Sequence, residues 1–493
     1  MKRVQHITVV GGGTAGWLTA TFLQYNMPDC KVAVIDKEFG KTIGFGEATV
    51  VSFYRFMENC GLKISDWFPK CDATFKTGIA FPNWGNPESG YIFHPFNINK
   101  MIKQDSCSIY DLWAFGNQSK KFYENALPTY AGTMASTIEK NIDGLGFHID
   151  CGKLVTYLQK ICSEKVSMIK SGVVSTMKDD HGWITHLVLE NGEEHHADLF
   201  IDCTGFASIL KDQKKVDLQE SGRLFTNSAV AGQIGYENID KEQVPYTRCP
   251  AVDHGWIWKV PTQNRIGSGL VFNRNITDID VAKQYFSDHW NGRIKPEELR
   301  YVEWDPHYIK NFWEGNVVSI GLSGGFIEPL ESTGIEGITQ GILTLGSLLV
   351  ERYYSEKDIN LYNILIGNWY EDCCDFVSAH YSNTQWNTTF WNHVRDTYVK
   401  SDKQKYYESW MKDVNRNFIS PSRPDVIFSW SNWIAILIQL GYPVRKNLNY
   451  MGNQKVNLLL NSFIANENEK VYSENISHTK AIKMTNSGIL SFT

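Results

Sequence analysis

Residues 4–36 decide the fold: Val4-Gln5-His6-Ile7-Thr8-Val9-Val10, then Gly11-Gly12-Gly13-Thr14-Ala15-Gly16, and later Lys31-Val32-Ala33-Val34-Ile35-Asp36. The first run is β-branched and ends in glycines, the pattern of a short strand. Thr14 to Gln24 carries apolar residues at helical spacing, and Lys31 to Asp36 reads as a second strand. Strand, helix and strand in this order open a doubly wound parallel sheet. The glycines fit G-x-G-x-x-G: Gly11 permits the tight turn, Gly13 lets the backbone approach a pyrophosphate, and Gly16 lets helix and strand pack closely. Thr14 and Ala15 stand between them at the helix start. Asp36 follows Gly16 by 20 residues, at the end of the second strand, where a carboxylate accepts from a ribose hydroxyl. A dinucleotide is the expected ligand of Gly11, Gly13, Thr14, Ala15, Gly16 and Asp36.

Outward from this unit, further strands are expected at Trp183 to Glu190, Ala197 to Asp202 and Asn316 to Ile320. A long helix is expected over Ile335 to Tyr354, and helical patterns follow at Trp369 to Val399, Lys403 to Val414 and Val426 to Tyr442. The chain therefore divides into an α/β module over residues 1–340 and a helical module over residues 341–493. Roughly the last 25 residues are polar and read as loosely held. Ala197 to Gly205 (ADLFIDCTG) resembles the second FAD-contacting segment of glutathione-reductase-type flavoproteins. The fold class implied is α/β, a Rossmann-like FAD-binding module with mixed sheets plus a helical C-terminal module. No second strand–GxGxxG–helix unit is found for a nicotinamide nucleotide. The flavin is then reduced elsewhere and arrives in its dihydro form.

Composition narrows the function classes. Of 493 residues, 42% are hydrophobic, 13% aromatic and 21% charged, which excludes a collagen, a coiled coil and a disordered chain. Sixteen tryptophans are the unusual feature, to be divided between core and site. With 48 basic against 54 acidic residues there is no basic excess to drive nucleic-acid binding. The ten cysteines form no C-x-x-C pair and read as buried reduced thiols of a cytoplasmic protein. No run reaches the ~18 apolar residues of a membrane span. Histidines and aspartates offer no spaced metal set, His195-His196 reads as a strand end, and no serine-nucleophile elbow is read.

Four further motifs carry chemistry. Gly44-Phe45-Gly46-Glu47-Ala48-Thr49 has a glycine pair that lets the backbone lie against a ring system. Lys76, in Ala73-Thr74-Phe75-Lys76-Thr77-Gly78-Ile79, sits among apolar residues, where desolvation lowers an amine's pKa. Trp256-Ile257-Trp258-Lys259-Val260-Pro261 puts two indoles at i and i+2, on one side of a strand. Glu328-Pro329-Leu330-Glu331-Ser332-Thr333-Gly334-Ile335 runs into a helix whose first N–H groups suit an anion.

Together these resemble the flavin-dependent halogenases of the tryptophan-halogenase-like family, over most of the chain up to about residue 395. The resemblance implies a strap at Glu47 and Ala48 beside FAD, with Leu322 and Ile335 as further flavin contacts. It implies halide binding by Thr333 and Gly334, and a catalytic pair in Lys76 and Glu331. Trp256 and Trp258 would wall the aromatic substrate from the flavin, while Ser332, His94 and Phe96 (from Tyr91-Ile92-Phe93-His94-Pro95-Phe96) would flank the substrate. The cofactors implied are FAD as FADH2 from a separate NAD(P)H-dependent reductase, a halide (chloride, bromide or iodide) and O2. Hypohalous acid formed from them would be directed by Lys76 to an electron-rich ring.

The substrate end departs from the family. Tyr406-Tyr407-Glu408-Ser409-Trp410 resembles its tyrosine pair. Asp413 stands for the acid that follows, and Asn417-Phe418 for its Phe-Trp. Asn387-Thr388-Thr389-Phe390-Trp391 replaces its Asp-Thr-Pro-Phe-Trp. The expected substrate is a small indole or phenol, not free tryptophan. A flavin-dependent aromatic monooxygenase and a non-catalytic FAD-binding protein are the alternatives, and a homo-oligomer is as compatible with the sequence as a monomer.

Overall fold

The computed structural model describes residues 3–40, 44–96, 142–211, 214–412, 427–443 and 478–488. Its central sheet has six strands. His6–Val10 lies between Lys31–Asp36 and Leu199–Asp202, parallel to both, with Val166–Lys170 beyond one neighbour and Val317–Ser319 and Trp313–Glu314 beyond the other. His6–Val10 and its two neighbours are mostly buried, which is why they are near-continuous apolar runs, whereas the edge strand Val166–Lys170 leaves Met168 exposed. The helix Thr14–Asn26 follows Gly13 directly. Gly11 has φ +109°, and a Cβ there would lie 2.3 Å from the carbonyl oxygen of Cys203. A Cβ on Gly16 would lie 1.9 Å from the Gly11 carbonyl oxygen, so close packing excludes a side chain at both positions. The expected second FAD-contacting strand thus runs directly against the first glycine turn.

A mixed sheet forms the second layer: Ser228–Ile234, Ile266–Phe272 and Gly255–Pro261 are antiparallel, and Thr247–Arg248, parallel to Gly78–Pro82, joins them to the hairpin of Gly78–Pro82 and Tyr91–Pro95. A small three-stranded sheet sets Glu47–Ala48 and Thr74–Lys76 on either side of Gly146–Ile149. Short as it is, it brings the strap and the lysine strand to one place.

The strand expected over Trp183 to Glu190 is Ile184–Leu189, in a three-stranded antiparallel sheet with Val173–Lys178 and Glu194–His196. The structure differs from the sequence reading at three points. The helix expected over Trp369 to Val399 is two, Glu356–His380 and Thr389–Thr397. Between them Asn383 adopts a left-handed conformation (φ +56°) and donates to the Leu440 carbonyl at 2.6 Å, while Trp386 Nε1 donates to the Asn83 carbonyl at 2.8 Å. These tertiary bonds override a helical pattern. Within the polar C-terminus, read as loosely held, His478–Asn486 is a helix that buries Ala481, Ile482 and Thr485. Finally, Gly321-Leu322-Ser323-Gly324-Gly325 does fit the spacing of a serine elbow, but Ser323 is buried with its hydroxyl against the Asp202 and Ile320 carbonyls, and is no nucleophile.

Trp430–Gln439 packs its glutamine on Phe93 of the mixed sheet: Gln439 Oε1 accepts from Phe93 N at 2.7 Å and its Nε2 donates to the Phe93 carbonyl at 3.0 Å. The nine described cysteines are buried and free, and Cys107 lies outside the described residues. No described helix is long and apolar enough to cross a membrane.

Candidate active site

The site grows from the start of the helix Thr333–Leu348. Ser332, its N-cap, has φ +61° and no side-chain capping bond, so the first helical N–H groups are left to other partners. A cavity of about 560 Å³ opens there, lined among others by Thr333, Gly334, Ile335, Leu322, Glu47 and Ala48. Thr14, Gly205 and Trp258 also line it, so it reaches from the glycine turn to the tryptophan strand. Built on Gly13, Gly205 or Gly334, a Cβ would meet nothing within 4 Å. Side-chain-free backbone facing open space is what a flat ring and a pyrophosphate require, and the residues present fit FAD. Asp36 accepts from Gly12 N and, at 2.9 Å, from Glu38 N, which fixes its carboxylate beside the glycine turn.

Glu47 holds the strap. Its two oxygens accept from Phe45 N at 3.3 Å and Cys151 N at 3.2 Å. Burial raises its pKa to about 7, against these hydrogen bonds.

Behind Ser332 stands Lys76, fully buried. Its Nζ donates to Ser332 Oγ at 2.7 Å and to the Thr49 carbonyl at 3.1 Å, and sits 4.8 Å above the Phe96 ring. Desolvation lowers its pKa to about 7, with the negative charge of Glu331 acting the other way. Ser332 therefore touches the cavity on one side and the lysine on the other.

Glu331 is 1% exposed and gripped by two imidazoles. His94 Nδ1 lies 2.8 Å from one carboxylate oxygen and His380 Nε2 lies 2.8 Å from the other. Burial opposes the charge, but the two histidines prevail and lower the carboxyl's pKa to about 2. The tautomer of His94 follows from its other nitrogen. Ser429 Oγ donates to Asn432 Oδ1 at 2.7 Å, which turns the Asn432 amide nitrogen onto His94 Nε2 at 2.8 Å. Nε2 accepts, so Nδ1 carries the proton given to Glu331. Phe376 and Phe428, stacked at 3.9 Å, pack against the His94 ring.

Lys76, Glu331, Ser332, His94 and Phe96 thus come together as expected from the sequence, with Thr333 and Gly334 adjacent. The tryptophan pair divides instead. Trp258 lines the cavity, with Gly269 making room for its ring. Trp256 is fully buried, donating from Nε1 to Tyr381 Oη at 2.9 Å, which donates in turn to Glu328 at 2.8 Å. His380 and Asn432 were not foreseen. No local spacing links either to Glu331, and only helix packing brings them in.

At the expected substrate end, Tyr406 is 43% exposed and Tyr407 stacks on Trp433. Glu408 pairs with Lys400 at 2.7 Å and accepts from Gln404 at 3.0 Å. Asp413, Asn417 and Phe418 lie outside the described residues.

Fold and cavity define a flavin-dependent enzyme. The tryptophan halogenase profile matches residues 6–454, and the chain belongs to that family. As a member it is a flavin-dependent halogenase, an oxidoreductase whose family chemistry uses FAD, a halide and O2 on aromatic substrates. Tryptophan 6-halogenase ThaL of Streptomyces albogriseolus is 29% identical over 419 residues, covering 79% of this chain and 78% of its own. Among solved structures, Xcc4156, a flavin-dependent halogenase from Xanthomonas campestris, superposes with a TM-score of 0.86 at 26% identity, covering 98% of this chain and 99% of its own. BrvH, a flavin-dependent halogenase from Brevundimonas sp. BAL3, does so with 0.85 at 26% identity and the same coverage.

Proposed function

We propose that this chain halogenates an electron-rich indole or phenol other than free tryptophan, using FADH2 delivered by a separate reductase. The observation that carries this reading is the 2.7 Å bond from Lys76 to Ser332, which joins a desolvated amine to the edge of the flavin cavity. Gly11, Gly13, Thr14, Ala15, Gly16 and Asp36 hold the nucleotide end of FAD, and Glu47, Ala48, Leu322 and Ile335 the ring. Bound in its reduced form, the flavin supplies the electrons that turn O2 and a halide into hypohalous acid.

The chain's own residues do the rest. Thr333 and Gly334 offer N–H groups to the halide at a helix N-terminus. Lys76 receives the oxidised halogen, either by hydrogen bonding or as a haloamine, in a site that excludes bulk water. Glu331, kept ionised by its two histidines, polarises the halogen species or accepts the ring proton. Phe96 and His94 flank the substrate, and Trp258 separates it from the flavin. The halogenating module, residues 1–340, and the substrate module, residues 341–493, would meet within the helix Thr333–Leu348. Against free tryptophan stand Asn387-Thr388-Thr389-Phe390-Trp391 and Asn417-Phe418, which depart from the family's Asp-Thr-Pro-Phe-Trp and Phe-Trp. Turnover of an aromatic panel with a reductase, NADH, FAD and each halide, read by mass spectrometry, tests the reading.

A further inference from the structure

The antiparallel sheet of Val173–Lys178, Ile184–Leu189 and Glu194–His196 lies apart from the active site, and its outer face holds a second cluster of chemical groups. His186 is paired directly with His196, and Val188 with Glu194. Because side chains alternate along a strand, His186, Glu194 and His196 share one face, while His195 points inward and bonds Thr8 at 2.7 Å. The three outer groups bring one ligand atom each within 4.8 Å of one another. His196 Nε2 lies 3.4 Å from one oxygen of Glu194, and His186 Nε2 lies 3.7 Å from the other.

The neighbours of each ring fix where its proton lies. Thr185, at a shift in its strand's pairing with Val173–Lys178, touches both imidazoles. The Thr185 carbonyl lies 3.2 Å from His196 Nδ1, and a carbonyl only accepts, so that Nδ1 carries the proton. The Thr185 hydroxyl gives its one proton to the Met177 carbonyl at 3.1 Å, so it accepts from His186 Nδ1 at 3.1 Å. In its neutral form each imidazole so placed turns an Nε2 lone pair toward the Glu194 carboxylate. Three electron-pair donors then converge on one point, the arrangement that a bound cation satisfies.

The separations suit a metal ion. With zinc–nitrogen and zinc–oxygen distances of about 2.0–2.2 Å, tetrahedral ligands stand roughly 3.3 Å apart. Histidine ligands characteristically donate their second nitrogen to a carbonyl or similar acceptor, as both do here to Thr185. We infer that His186, Glu194 and His196 bind one divalent first-row transition cation, zinc being the type case, with the remaining coordination positions open to water. Imidazole and carboxylate donors favour such an ion over magnesium or calcium. The ion would staple the three-residue edge strand to its neighbour.

Zinc titrated into the metal-stripped whole protein against a chromophoric chelator tests this. The wild type should take up one equivalent that the His186→Ala/His196→Ala double variant lacks. Glu194→Gln, nearly the same shape, should weaken that equivalent at least tenfold. Thr185→Val, which keeps the carbonyl and removes the hydroxyl, should weaken it about tenfold through His186 alone. His181→Ala, at an exposed turn outside the cluster, should leave it unchanged. Circular dichroism of each variant verifies the fold. Uptake by the double variant equal to that of wild type, unchanged affinity in Glu194→Gln, or no stoichiometric zinc in the wild type would each overturn the assignment.

Discussion

Nζ of Lys76 donates to Oγ of Ser332 at 2.7 Å, and Ser332 is the left-handed residue from which the helix Thr333–Leu348 starts. One short contact therefore links the buried amine to the N–H groups proposed to hold the halide. Lys76→Ala should abolish halogenation, by at least a hundredfold, while FAD binding and NADH-linked peroxide formation persist with a reductase present. Product analysis beside a peroxide assay separates the two, and halogenation that survives the substitution removes the role given to Lys76.

The same lysine should weaken the fold. Its pKa is lowered to about 7 from an ordinary 10.5, mainly by desolvation. Below pH 7 the folded protein must hold a buried ammonium, a cost of the order of a few kcal/mol. Between about pH 7 and 10.5 the unfolded chain binds the proton and the folded one does not, so this contribution to stability rises with pH. Lys76→Met should melt above wild type at pH 6.5, with the gap closing as pH rises toward 10. A gap that is constant or widens with pH contradicts the assigned shift.

Glu331 behaves oppositely. The histidines lower its pKa to about 2 from 4.5 despite burial. The carboxylate's contribution is present above pH 4.5 and lost as pH falls toward 2. Glu331→Gln should flatten the acid limb of the stability curve and lower kcat by about 10²–10³ if it moves a proton or polarises the halogen. An unchanged kcat would reduce Glu331 to a structural ion.

Gly334 separates folding from halide use. A Cβ there meets nothing within 4 Å, and alanine is the better helix former. Gly334→Ala should melt no lower than wild type, yet raise the KM for halide about tenfold by crowding the space in front of the helix N-terminus. Equal halide kinetics would move the halide elsewhere.

What could be read from the chain alone followed from locality. Gly11 to Gly16 and Asp36 lie within one strand–helix–strand unit, and Glu331 to Ile335 within one helix start, so their spacing carried their geometry. His380 and Asn432 come to Glu331 and His94 on helices distant in sequence, and no period connects them. His186, Glu194 and His196 escaped for the same reason: the antiparallel pairing of two strands makes the cluster, and along the chain they are scattered polar residues. Trp256 and Trp258 shared a side of their strand, as the spacing required. Which indole met the cavity depended on Tyr381 capturing Trp256.

The most direct test of the central claim is turnover of free tryptophan, indole and phenol series with a flavin reductase, NADH, FAD and chloride, bromide or iodide, each product identified by mass spectrometry. The account predicts halide- and flavin-dependent halogenation of an indole or phenol lacking the amino-acid head group. Free tryptophan turned over far faster than those compounds, or a hydroxylated product formed without halide, would contradict it.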